Sequence, residues 1–279
     1  MSNSIKESEV EKWLVCTPKD FVGNSIHFAR DSGLLCKGFQ EIGIPCKAIL
    51  PGEKREDDNS EDLIRTHYKN LESKDWWEEQ GAYGVVFYGW GAGKYRKVAK
   101  AIKDSGSILV SHMDTGGILG PLSGLKLYLM SRWRISQGES KDLLNALIAF
   151  GPRTIYDLTG GLIWNDWRRS RHLKLADVIG SITPIALERI QKLCHAYGGE
   201  DLASNVKLIP HPNASYMKPD PNITKENLVI SIGRWDDRYV KGTSLLLETS
   251  GRILQNNHNA IIEIYGKLTD ELLGWRQDL

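Results

Sequence analysis

Short apolar runs alternate along this chain with longer stretches whose apolar residues recur at helical spacing, the pattern of parallel β-α-β units. The first run is Trp13-Leu-Val-Cys16. The turn Phe21-Val-Gly-Asn24 leads into a helix expected near Ser25–Ile42, with Ile26, Phe28, Ala29, Leu34, Leu35 and Phe39 as its apolar positions. A second strand is expected at Cys46-Lys-Ala-Ile-Leu50, ended by Pro51-Gly52, and the highly charged Glu53–Asp62 reads as a surface loop. Next come a strand over Tyr83–Tyr88, a helix over Lys94–Lys103 and a strand over Ser107–Ser111. Residues 115–172 follow neither period cleanly and carry helical patches rich in Trp and Arg. Regularity returns with a strand at Ala176–Ser181, a helix at Pro184–His195 and a strand at Val206–Pro210.

Pro212, Pro219 and Pro221 then mark a linker, because proline donates no backbone hydrogen bond and holds the chain extended. Beyond it a second α/β unit begins: the strand Leu228–Ile232, a helix near Thr243–Leu254, the strand Ala260–Tyr265 and a helix starting near Thr269. Two strands and two helices cannot bury both faces of a parallel sheet. The expectation is therefore an α/β chain: a Rossmann-like domain over 1–218, then part of a second over 219–279.

Composition narrows the class. Hydrophobic residues make up 41% of the 279 and charged residues 25%, ordinary for a chain that buries a core. Net charge is +1, so no global field draws the molecule to nucleic acid, and none is expected as a partner. The four cysteines form no C-x-x-C pair, which suits buried thiols in a reducing cytoplasm better than disulfides or a metal site. The N-terminus has no apolar signal-peptide core. Apolar runs such as Gly84–Gly89 fall well short of the roughly 20 residues that cross a bilayer. A cytoplasmic location is expected, with at most peripheral membrane contact.

Chemistry concentrates in Ser231-Ile-Gly-Arg-Trp-Asp-Asp-Arg-Tyr-Val-Lys-Gly-Thr-Ser-Leu-Leu-Leu-Glu248. A strand ends in Gly-Arg, a polar loop follows, and Lys-Gly opens a helix. Arg234 can grip phosphate oxygens in bidentate fashion, Lys241 adds a point charge, and the helix N-terminus offers free N–H groups. The plainer alternative is a surface loop with solvated basic residues.

Gly233-Arg234 and Lys241-Gly242 resemble the G-R-x-x-x-x-K-G passage of the retaining, two-Rossmann-domain (GT-B) glycosyltransferases, the family 4-like or "glycosyl transferases group 1" set, with six residues rather than four between the arginine and the lysine. Two further passages are similar to that family. Val206-Lys-Leu-Ile-Pro-His-Pro-Asn213 looks like the segment that ends its first domain, although Ala214 stands where a glycine is usual; Ile262-Glu-Ile-Tyr-Gly266 looks like its next strand and glycine. The resemblance implies transfer of a sugar from a nucleoside diphosphate donor to an acceptor hydroxyl with retention, in a cleft between two domains. It implies no metal and no cofactor beyond the nucleotide-sugar, with a saccharide, a lipid or a small molecule as acceptor. Arg234 and Lys241 would hold the diphosphate. Gly23, followed by Asn24, would stand at the family's Gly-rich loop, and His112, in Ser111-His-Met-Asp114, would face the donor sugar as the catalytic residue. Asn213 and Gly266 would line the cleft. The bland readings are a plain strand-to-helix turn at Gly23 and a strand-end histidine with no ligand.

Other matches weigh less. Gly89-Trp-Gly-Ala-Gly-Lys94 fits no nucleotide-binding fingerprint and reads as a flexible loop. Asp114-Thr-Gly116 has no second aspartate triplet, which protease chemistry needs. Glu263 and Glu271 have the E-x7-E spacing of the family's donor pair, but Glu263 falls inside a strand, so the true pair is absent. The chain is therefore expected to be a C-terminally truncated member. The alternative is a non-catalytic relative or a subunit whose partner supplies the missing half-domain. Finally, Leu125–Ile135 and Trp164–His172 mix Trp with cations. Each reads either as a surface for a membrane or an anionic acceptor, or as a helix with aromatics packed inward and charges solvated.

Overall fold

A computed structural model of the chain describes residues 11–20, 27–56, 58, 61–115, 125–139, 143–213, 220–224, 226–234 and 243–267. The chain divides into two compact units, Met1–Tyr128 with Ile155–Met217, and Leu129–Thr154 with Lys218–Leu279.

The first unit holds a seven-stranded parallel sheet. Its strands are β1 (Trp13–Cys16), β2 (Cys46–Pro51), β3 (Leu63–Thr66), β4 (Gly84–Phe87), β5 (Ile108–His112), β6 (Val178–Ser181) and β7 (Val206–Leu208). The spatial order is β3-β2-β1-β4-β5-β6-β7, with every neighbouring pair parallel. This is the doubly wound Rossmann-like order, whose direction of winding reverses between β1 and β4.

Helices connect the strands: α1 (Asp31–Glu41) after β1, α2 (Tyr68–Leu71) and α3 (Lys74–Gln80) after β3, α4 (Arg96–Asp104) after β4, and α8 (Pro184–Ser204) after β6. Between β5 and β6 run α5 (Leu125–Glu139), α6 (Leu143–Tyr156), a π-turn at Asp157–Gly161 and α7 (Leu162–Leu173). Local chemistry sets several ends. Ser73 caps α3 by accepting from the Trp76 N–H, and Gly81 closes that helix in the left-handed region. Thr183 caps α8 by accepting from the Ala186 N–H, with Pro184 in the first turn.

Both faces of the sheet are covered, which is why β4 and β5 are nearly continuous apolar runs. Leu14, Cys16, Val85, Phe87 and Leu109 pack on one face with Trp77, Val98 and Ile190. The alternate residues Val15, Val86, Tyr88 and Val110 pack on the other with Phe28 and Cys36. All four cysteines are free and buried. Among the described residues no helix is long and apolar enough to cross a membrane.

Two features depart from the sequence reading. The edge strand β3 and the short helices α2 and α3 occupy a stretch to which the pattern assigned nothing. Within the charged segment Glu53–Asp62, Asp58 is buried rather than solvated. It accepts from Arg65 Nε at 2.6 Å and from the Arg55 backbone N–H at 3.0 Å, while Arg65 also reaches Asp20 at 2.7 Å. A buried carboxylate persists because these cations satisfy it, and they hold its pKa below the usual range.

In the second unit β8 (Leu228–Arg234) and β9 (Ile261–Lys267) pair in parallel, linked by α9 (Thr243–Asn256). Gly266 lies opposite Gly233 with φ of 130°, and a Cβ there would stand 1.9 Å from the Gly233 carbonyl oxygen. Only glycine fits. Glu263 is within β9, as read. Ile232 and Tyr265 are 78% and 52% exposed, so apolar residues of this two-stranded sheet face solvent. The helix expected near Thr269 lies outside the described residues.

Candidate functional site

The site is built at the carboxyl edge of the seven-stranded sheet, on β1 and β4, which flank the reversal of order, and on the adjacent β5. Thr17 follows β1, Tyr88 follows β4 and His112 ends β5. The backbone fixes them. The Thr17 N–H donates to the Ile49 carbonyl, the Tyr88 N–H to Cys16, and the Met113 N–H to Gly180. All three side chains are buried, His112 completely. The Tyr88 and His112 rings stack at 4.3 Å and 21°. Gly180 makes room for the imidazole, because a Cβ at that position would come within 3.3 Å of it.

The polar atoms of these residues are unusual for a protein interior. Thr17 Oγ1, Tyr88 Oη and both His112 nitrogens are shielded from solvent, with no hydrogen-bond partner of good geometry among the described residues. The Ile209 backbone comes near the imidazole and favours its charged form. Burial counts for more and, helped by nearby His211, pushes the His112 pKa down to about 4. Burial, then the carboxylates of Asp31 and Asp114, raises the Tyr88 pKa. At neutral pH the edge thus presents a neutral imidazole and neutral hydroxyls. Leaving such groups unpaired costs about 1–3 kcal/mol each, so a ligand that satisfies them has an affinity source ready.

A polar rim lies beside them. Asp114 and Trp90 are the two non-glycine residues with positive φ among the described residues, at 34° and 52°. For a tryptophan this is a strained backbone, of the kind that collects at binding sites. Trp90 Nε1 donates to Asp114 Oδ2 at 3.1 Å. His211, leaving β7, brings Nε2 to 3.0 Å from Asp114 Oδ1 and Nδ1 to 3.8 Å from Asp31 Oδ2. Its ring centre is 5.7 Å from that of His112. Burial lifts the Asp114 pKa, partly opposed by Trp90 and His211. No metal is expected from the motifs. Even so, Asp31, Asp114 and His211 offer ligand atoms all within 4.8 Å of one another, with the imidazole itself bridging the two carboxylates.

Of the residues expected from sequence, His112 is at the centre of this edge. Arg234 ends β8 and Thr243 begins α9, while residues 235–242 between them lie outside the described residues. Lys241, Gly23 and Asn24 lie outside the described residues. Asn213 is exposed two residues past His211, and Gly266 is committed to the close approach of β9 to β8. The sequence reading missed Thr17, Tyr88, Trp90, Asp31 and His211 and set Asp114 aside. Tyr88 carried the same signal as His112, a polar residue at the end of a buried strand. His211 stood within the quoted Val206–Asn213 passage.

No family profile and no curated protein matches the chain. Among solved structures it resembles an alpha-glucosyltransferase in complex with UDP and a 13-mer DNA containing a central A:G mismatch, at 13% identity and a TM-score of 0.47. The likeness covers 96% of this chain and 59% of that one, so the chain spans about three-fifths of the length of the solved structure it matches.

Proposed function

We propose that the chain binds a nucleoside diphosphate sugar and passes the sugar to an acceptor hydroxyl with retention at the anomeric carbon, as a GT-B-type glycosyltransferase. The observation that carries this reading is the set of neutral, unpartnered polar atoms on Thr17, Tyr88 and His112 at the switch point of the sheet. Sites of doubly wound sheets form there, and a polyhydroxyl ligand supplies the matching donors and acceptors.

As the bond to the leaving diphosphate breaks, negative charge builds on its oxygens. Arg234, Lys241 and the N–H groups at the start of α9 are the groups suited to stabilise it. Neutral His112 can donate from one ring nitrogen and accept at the other, binding a sugar hydroxyl without adding charge. Gly23 would bring backbone amides to the ligand, with Asn24 and Asn213 as further lining residues. Calorimetric titration with UDP, GDP and ADP tests the donor half. Arg234→Ala should weaken the bound nucleotide by about 10- to 100-fold, the worth of a charge-assisted phosphate contact. Equal affinity for wild type and variant would sink the proposal.

The exposed apolar residues of β8 and β9 favour a second reading, in which further polypeptide must cover that small sheet before the donor site is complete. On this reading the chain alone is not catalytic. Sugar transfer or donor hydrolysis by the isolated chain separates the two.

A further inference from the structure

The two tryptophan-and-cation stretches differ in three dimensions. In Leu125–Ile135 Tyr128 is buried and Trp133 lies edge-on to Phe150 at 5.4 Å, while Leu125 and Met130 are exposed. In Trp164–His172 both tryptophans are exposed, while Asp166, Ser170 and His172 are buried. Trp164 stacks on Trp167 at 4.9 Å and is 53% exposed, and the Arg171 guanidinium lies 4.8 Å over the Trp167 ring.

These residues form one wall of a groove of about 540 Å³ within the first unit. The facing wall is the turn Gly93–Tyr95 and the start of α4, carrying Lys94, Arg96 and Lys97. α7 packs closely on that turn, since a Cβ at Gly93 would meet Arg168 Cβ at 3.0 Å. Five cations line the groove against one acid, Glu72, which lies 4.0 Å from Lys97. Arg96 Nε, shielded from solvent, has no hydrogen-bond acceptor. The groove is therefore set for an anion.

The surroundings decide which kind. Ile163, next to Trp164, is 66% exposed, and Ile155, Tyr156 and Leu158 in the approach to α7 are also exposed. Aliphatic side chains gain little against nucleic acid, where stacking and phosphate contacts carry binding. They gain about 0.8 kcal/mol per methylene on entering hydrocarbon. Isoleucine and leucine beside tryptophan at the headgroup level, with cations behind, are the components of an interfacial contact. No described helix can span a bilayer, so the contact is peripheral.

We propose that this α7 face docks on an anionic membrane surface, its groove receiving a lipid phosphate while Ile163 and Trp164 enter the acyl boundary. The inference is independent of glycosyl transfer. If both hold, the loop from Tyr88 to Tyr95, which serves the candidate site at one end and the groove at the other, would set the site beside the lipid surface.

Co-sedimentation with vesicles of phosphatidylcholine, alone and mixed with phosphatidylglycerol, tests it. The protein should bind the mixed vesicles only, and added salt should release it. Arg168→Glu with Arg171→Glu should lower partitioning at least about 10-fold. Trp164→Ala and Ile163→Ser should each lower it about 3- to 10-fold while leaving the salt dependence. These positions are surface ones, and circular dichroism checks that each variant is folded. Equal binding to neutral vesicles, or undiminished binding by the charge-reversed protein, would overturn the proposal. So would tighter binding of a single-stranded oligonucleotide than of vesicles, or a dimer by light scattering that Trp164→Ala dissolves. Competition by inorganic phosphate without any vesicle binding would reassign the groove to a free anion.

Discussion

His112, at the end of β5, and His172, on α7, serve opposite faces of the same two strands. Phe87 and Ser111, paired in register on β4 and β5, face α7, where His172 stacks over Phe87 at 6.0 Å with Nε2 3.4 Å from Ser111 Oγ. Tyr88 and His112, the next residues along, face the other layer and stack on each other. Both imidazoles are fully buried, and burial holds both near a pKa of about 4. Their surroundings differ. Near His172 a serine hydroxyl lies within reach of Nε2, Nδ1 has no hydrogen-bond partner of good geometry among the described residues, and Asp166 pairs with Arg169 at 3.1 Å. Around His112, the Tyr88 and Thr17 hydroxyls have no acceptor, and the backbone turns strained at Trp90 and Asp114. A depressed pKa therefore reports burial in both places. The His112 edge adds unmet hydroxyls and a strained loop to its buried imidazole, which makes it the candidate edge for a ligand.

The largest expected effect follows from exchanging the two. His112→Asn should lower sugar transfer, or donor binding if the chain alone does not turn over, by about 10²- to 10³-fold, the loss expected for a group acting on the reacting sugar. Its stability should change little, because no protein hydrogen bond of good geometry is broken. His172→Asn should do the reverse: lose about 1–3 kcal/mol in urea denaturation and leave the activity of the folded fraction unchanged. A stability loss at His112 larger than that at His172 would erase the distinction.

Acid should treat the pair alike. Each histidine is near 4 when folded against about 6.5 when unfolded, so its contribution is present above pH 6.5 and lost as pH falls through 4, up to roughly 3 kcal/mol each. His27, buried and also near 4, adds to the loss. Asp166 opposes it: burial raises its carboxyl to about 6, so its contribution is lost as pH rises through 6 and regained toward 4. Stability from pH 7.5 to 4 should fall less steeply in His112→Asn and in His172→Asn than in wild type, by similar amounts. Flattening by one variant alone would show that the two are not buried alike.

The contrast also marks what the sequence could carry. β4 and β5 are legible as apolar runs because burial on both faces demands them, and the strand-end position of His112 follows. β3 is not. Leu63-Ile64-Arg65-Thr66 is a short edge strand whose arginine pairs with Asp58 and Asp20, from separate loops. The rim of the site is hidden for a similar reason. Asp31, Trp90, Asp114 and His211 meet because parallel strands bring their carboxyl ends together, and no local period connects positions so far apart. That a hydroxyl lacks a partner is a fact about all its neighbours at once.

The smallest effect is the most discriminating. Tyr88→Phe removes one oxygen from a fully buried ring and leaves the stack on His112 in place. Where a buried hydroxyl is bonded to protein, that change costs about 0.5–1.5 kcal/mol. Tyr88 Oη has no such bond, so the variant should match wild-type stability or gain up to about 1 kcal/mol in chemical denaturation. Donor affinity should fall by roughly 5- to 10-fold if the hydroxyl is kept for a ligand. A variant less stable than wild type by more than about 1 kcal/mol would mean the oxygen has a structural partner, and the carboxyl edge would then resemble the surroundings of His172.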